Sequence, residues 1–188
     1  ARQENPQNDE LFDASRADLV ARRSLIVARR ILAVATTPLL PVFNDYLISQ
    51  DKSFARRVEK LLQPVLHGKA PVLWTVELEG PWADSFNSAK REGTTIRLEH
   101  LLLNARTPEP ESLDCLCLLL ERGSQRKFLP DSSEILQEGD HLLFAGRGAA
   151  RQEMLFTLKE PVALLSLALG SPQPRGAIMR RLARRRAG

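Results

Sequence analysis

The sequence predicts an α+β fold, a helical N-terminal segment followed by a small β-α-β module. Three observations point there. Apolar residues recur at helical spacing through the first third of the chain. At Val72, Trp74, Val76 and Leu78 the apolar period falls to two, the spacing of a strand with one buried face. Beyond that point, short apolar runs are divided by glycine and proline turns, in the order strand, helix, strands, helix. The 188 residues make one large domain or two small ones. With 43% hydrophobic residues the chain can build a core, so global disorder and a collagen-like chain are excluded. Two cysteines exclude a disulfide scaffold. No apolar run approaches the ~20 residues of a membrane-crossing helix. The longest, Val162 to Leu169, contains Ser166.

Residues 2–16 read as a polar helix that starts near Asn5-Pro6, because proline is tolerated in a first turn. Leu19-Val20 reads as a short buried strand. Arg22 to Val34 reads as a helix capped by Ser24, with Leu25, Ile26, Ala28, Ile31 and Leu32 mostly at helical spacing. Pro38 and Pro41 interrupt the pattern, which Leu39 to Ile48 resumes. A third helix is expected from a Ser53 cap, with Phe54, Val58, Leu61 and Leu62 on one face, ending at Pro64 and Gly68. This third of the chain has more apolar faces than its own volume can bury, so part of that surface is expected to meet a partner chain.

In the second part, Val72 to Leu78 is a strand closed by Gly80-Pro81, and Ala83 to Arg91 a short helix. Thr94 to Leu98 is expected to be a strand, and Thr107 to Glu111 a loop. Leu113 to Arg122 reads as a buried strand, Gly123-Ser124 as a turn, and Lys127 to Leu129 as the return strand. After the polar loop Pro130 to Glu134 comes the tight turn Glu138-Gly139-Asp140. His141 to Ala145 is the last strand and Ala149 to Leu158 the last helix.

The charge is uneven. Of 27 basic and 23 acidic groups, the segment Ser171 to Gly188 holds six arginines and no acid. The basic balance therefore belongs to the tail, which would suit nucleic acid or an anionic membrane face. Ile178, Met179 and Leu182 add a weak apolar stripe beside those arginines.

Groups able to do chemistry are scattered. His67, His100 and His141 have no ligand partner at a metal spacing. Cys115 and Cys117 fall on the same face of a strand, yet zinc needs about four ligands. Gly146-Arg147-Gly148 follows a strand but lacks the third glycine of a phosphate-binding fingerprint. Glu77 and Glu79 share a strand face, where carboxylates are ordinarily solvated. Aromatics are 5% of the chain and are not interleaved with basic residues as nucleic-acid stacking requires. No nucleophile, base and oxyanion donor come together, so the expectation is not an enzyme, with no catalytic, cofactor or metal residues assigned.

Two stretches resemble the regulator-of-potassium-conductance (RCK), or TrkA-type, family. Leu129 to Gly146 is similar to the end of its C-terminal module (TrkA-C), where a proline-led loop and a Gly-Asp turn precede an apolar strand ending in glycine. Ala1 to Asn5, Leu11-Phe12 and Ala17-Asp18-Leu19-Val20 resemble the close of its nucleotide-fold N-terminal lobe. Leu25 to Val34 then resembles the crossover helix, and Val42 to Leu62 the helical hinge. The resemblance spans residues 1–158. It implies the end of a Rossmann-like lobe with crossover and hinge helices over 1–68, a TrkA-C-like regulatory module over 69–158, and a basic tail over 159–188.

It further implies a cytoplasmic regulatory domain of a potassium channel or transporter, the soluble part of a membrane-associated protein, that gates by hinge motion. The implied partners are a second copy, in a homodimer or larger ring, and a membrane pore or transporter subunit, with no nucleic acid. Ile26, Ile31, Val42, Phe43 and Leu47 are the implied dimer residues. The family's nucleotide site would precede Ala1. Its Gly-Lys-Thr-Leu segment has no counterpart in Trp82 to Arg91, and its calcium carboxylates none in Ala1-Arg2-Gln3. No cofactor is therefore expected. The alternative is a protein that binds nucleic acid or a membrane surface through its arginine tail.

Overall fold

A computed structural model describes residues 2–3, 21–22, 37–107 and 109–170 of the chain. The fold is α+β. Two short strands, β1 (Arg2–Gln3) and β2 (Ala21–Arg22), pair in parallel. Arg2, Gln3 and Arg22 are thus extended where the sequence suggested helix. Pairing with a strand distant in sequence outweighs weak local propensity. The rest of the helices read over 2–16 and 22–34, and the Leu19-Val20 strand, lie outside the described residues, as do residues 171–188.

Helices α1 (Leu39–Ser49) and α2 (Lys52–Leu66) follow. The two prolines open α1 instead of interrupting it. Pro38 is its N-cap and Pro41 sits in its first turn, where an N–H would have no intrahelical acceptor. Asp51, not Ser53, caps α2. Its Oδ1 accepts from the backbone N–H of Ser53 at 3.0 Å and of Phe54 at 3.2 Å, and from the Ser53 hydroxyl at 2.6 Å. These bonds hold the Asp51 carboxyl below its ordinary pKa, the Ser53 hydroxyl contributing most. Pro64 does not end α2; the helix runs to Leu66 and stops where His67 and Gly68 turn left-handed, at φ of 48° and 75°.

The strands β3 (Val72–Glu77), β4 (Cys115–Arg122), β5 (Gln125–Phe128) and β6 (Asp140–Gly146) form one antiparallel sheet in the order β3-β6-β4-β5. The central pair, β4 and β6, reads Cys-Leu-Cys-Leu-Leu-Leu and Leu-Leu-Phe-Ala, with nearly continuous apolar runs. Such runs belong to strands covered on both faces, and both faces are covered here. On one, Trp74, Val76, Cys115, Cys117, Leu120, Leu142 and Phe144 pack against α3 (Asp84–Arg91), α4 (Leu98–Leu101), α5 (Gly148–Lys159) and α6 (Ala163–Leu169). Phe86, Leu98, Leu101, Met154 and Leu164 are among the fully buried helix residues of that layer. On the other face, Leu118, Leu119, Leu143 and Ala145 meet Leu39, Phe43 and Val58 of α1 and α2. A β-bulge between Cys117 and Leu119 sends both Leu118 and Leu119 to this second face.

Two expectations change in the second part. Thr94 to Leu98 forms no strand. A single bridge joins Arg97 to Ile135 and the chain then coils into α4. The segment's amides and carbonyls are taken by the loop before β6, as in Leu98 N–H to Glu134 O at 2.9 Å and Leu136 N–H to Ile96 O at 2.9 Å. The stretch read as tail from residue 159 begins with α6, whose Leu164 N–H donates to the buried Ser85 hydroxyl at 2.9 Å. A seven-residue run whose one polar residue is Ser166 is too short to show a helical period.

The Gly-Asp turn locks the sheet to its loops. Gly139 takes φ of 80°, which an L side chain rarely adopts. Asp140, with no exposed surface, receives both arms of Arg122, Nε and Nη2, at 2.7 Å each, and the Gln137 N–H at 2.8 Å. The hydrogen bonds to Asp140 raise the Arg122 pKa. Arg122 also donates to Ile135 O at 2.8 Å. Glu134, 3.8 Å from Arg122, takes Lys127 at 2.8 Å.

Asp140→Ala should cost about 3 kcal/mol, because it strands a partly buried guanidinium and a backbone donor. Urea unfolding measures it, and an unchanged midpoint would show that the clasp is ornamental. Gly146→Ala should cost about 1–3 kcal/mol, since the added carbon would strike the Asp114 carbonyl and lie 2.5 Å from Cys115 Cβ; Gly148→Ala, in open surroundings, should cost far less in the same assay.

Candidate functional site

The helical hairpin of α1 and α2 carries a surface groove. One side of each helix is spent on the sheet. Phe43 is 4% exposed and packs in the second core cluster, with Val42 and Leu47 half-buried beside it. Tyr46 stacks on Phe128 of the edge strand β5, ring centroids 3.4 Å apart at 7°, and meets Phe54 edge-on at 5.2 Å. These contacts carry the hairpin on the sheet.

Beside them runs a groove of about 430 Å³. Leu47 closes one end; Ala55, Val58, Leu62 and Leu66, at helical spacing on α2, make its floor and wall. Glu59, Gln63 and Lys69 give it a polar rim. Ile48, 81% exposed, stands next to Leu47 in sequence. Apolar walls with a polar rim suit a packing partner, a helix or another protein surface.

Of the residues expected at a dimer face, Ile26 and Ile31 lie outside the described residues. Val42, Phe43 and Leu47 share α1, and of these only Leu47 lines the groove, while Phe43 is turned into its own chain's core. Ala55, Val58, Leu62 and Leu66 also line the groove, and none of them was among the residues expected at a dimer face. Their four- and seven-residue spacing was visible in sequence, but a groove also depends on how far apart two elements pack.

The remaining polar groups are separate structural contacts. His67 Nε2 lies 3.6 Å from Asp114, whose other oxygen is 3.5 Å from Arg147. His100 accepts from the Arg97 N–H at 3.1 Å, and burial lowers its pKa. His141 Nδ1 is 3.8 Å from Glu77. Glu79 is exposed as the residue that precedes a 3-10 turn, Gly80–Ala83. Gly146 packs against Asp114 and Cys115, and Gly148 merely opens α5, so the Gly-Arg-Gly run is spent on close packing and a helix start. Among the described residues, no three His, Cys, Asp or Glu are placed to hold a metal, and no helix is long and apolar enough to cross a membrane.

Cys115 and Cys117 are free and buried, and both face the first core cluster. Burial pushes the Cys115 thiol up to about 12 and the Cys117 thiol higher still. Neither should react with a thiol reagent at pH 8 in the native protein, and both should react once urea unfolds it; rapid native labelling of either would contradict this burial. No protein-family model matches the chain, and no curated protein matches it.

Proposed function

We infer that this chain is a cytoplasmic regulatory domain of a potassium channel or potassium transporter, acting by ligand- or conformation-driven hinge motion. One observation carries the reading. From β3 through α3 and α4 to β4, β5, β6 and α5, the elements run strand, helices, strands, helix, an order that supports the resemblance to the RCK and TrkA-type family. At the position that carries the likeness, the proline-led loop and the Gly139-Asp140 turn lead into β6 and are bound to Arg122.

The mechanical parts follow from the layers. The sheet with its inner helices is a stiff body, because its central strands are buried on both faces and its loops are clasped. The α1–α2 hairpin leans on the opposite face and joins β3 through residues 67–71, where His67 and Gly68 hold left-handed conformations. A second copy seated in the hairpin groove would couple two such bodies. A ligand that prefers one arrangement of the pair then shifts its population and pulls on the pore or transporter attached to it.

Analytical ultracentrifugation tests the pairing, and the chain should run as a dimer or larger ring. Ala55→Glu, exposed on the groove wall, should weaken association by roughly 100-fold, the cost of an unpaired charge in an apolar contact. A strictly monomeric wild type at high concentration would count against the groove as a pairing face. Isolation of the full-length gene product without an ion-conducting segment or partner would overturn the functional reading itself.

A further inference from the structure

Helix α2 carries a basic row beside the rim of the groove. Lys52, Arg56 and Lys60 recur every four residues and form a row along the helix, with Arg57 beside it. All four are exposed, and none is in an ion pair among the described residues. The helix's one acid, Glu59, three residues after Arg56, lies between the row and the groove.

As a stabilising device this row is badly placed. Like charges four apart repel along a helix, and Lys52 at the first helical position meets the positive end of the helix dipole, which the Asp51 cap offsets. Apolar side chains border it. Leu61, 40% exposed, stands four residues after Arg57 on the same helix, and Ile48, 81% exposed, immediately precedes the turn into α2.

We propose that this basic row docks the domain on the anionic headgroups of a membrane. A negatively charged lipid surface matches four unpaired cations. Long basic side chains can reach its phosphates while the neighbouring Ile48 and Leu61 rest against the acyl boundary. Nucleic acid fits the same charge less well, since Phe43, Tyr46 and Phe54 of this hairpin are turned onto the sheet and one another, with no aromatic platform left for bases. The arginines of residues 171–188 supply a second basic signal in the same chain, and stable surface attachment commonly needs two. The row borders the groove rim at Glu59 and Gln63, and docking is read by vesicle binding where pairing is read by sedimentation of the chain alone.

The test is vesicle co-sedimentation of the full chain. Phosphatidylcholine vesicles containing phosphatidylglycerol should bind it, increasingly so at low salt, and vesicles of phosphatidylcholine alone should not. Arg56→Gln with Lys60→Gln should lower the partition coefficient by roughly 30-fold. Arg91→Gln with Arg151→Gln, which removes the same charge at exposed positions away from the row and the groove, should leave it within about twofold, so that position outweighs net charge. The proposal is overturned if the Arg56/Lys60 variant binds as well as wild type, if neither vesicle binds, or if duplex DNA competes the chain off the vesicles and shows the same loss in that variant.

Discussion

The antiparallel pairing of β4 with β6 is the contact on which the other layers depend. Leu119, Leu120, Leu142, Leu143 and Phe144 are all almost wholly buried, and they point to opposite faces of the same two strands. A sheet that is apolar on both faces cannot stand alone or with one layer of helices. The inner helices α3 to α6 therefore cover one side, and the α1–α2 hairpin has to cover the other. Without the hairpin, Leu118, Leu119, Leu143 and Ala145 would face water. The bulge at Leu118 adds to that outer surface and makes the hairpin's contact larger.

A buried polar clasp closes the same pair of strands at one end. Arg122 is the last residue of β4 and Asp140 the first of β6. Their two-armed bond also gathers the Gln137 amide and the Ile135 carbonyl, so the loop that carries the Gly-Asp turn is held by charge as well as by packing. Such a pair adds modest net stability relative to an apolar substitute, while its loss on one side is costly. Its geometric demand selects one register for β4 against β6. At the opposite end Gly146 lets β6 pass close to Asp114 and Cys115, and the Arg147 N–H bonds the Asp114 carbonyl at 2.9 Å. The two strands are thus pinned at both ends.

The hairpin has less holding it, chiefly aromatic contacts to Phe128 and apolar contacts to the outer face. That difference in attachment suits a part that moves against a stiff body. It also leaves α2 with one side for the sheet and, beside the groove, a row of exposed cations that form no ion pair among the described residues.

By itself the sequence determined the element types wherever the hydrophobic period was clean. The alternation in Val72 to Leu78, the helical spacing in α1 and α5, and the glycine turns at Gly123 and Gly139 all report on nearest neighbours, which local pattern encodes. The Gly139-Asp140 turn was legible as a turn, while the clasp of Asp140 by Arg122, eighteen residues earlier, was not. Tertiary structure decided the rest. Thr94 to Leu98 has strand-like residues but no strand to pair with. Ala163–Leu169 is too short to show a helical period, so only burial against Ser85 and the inner core defines it as part of the module. Phe43 looked available to a partner until the sheet claimed it, because which apolar side chains remain free depends on how many layers a chain must cover with its own helices.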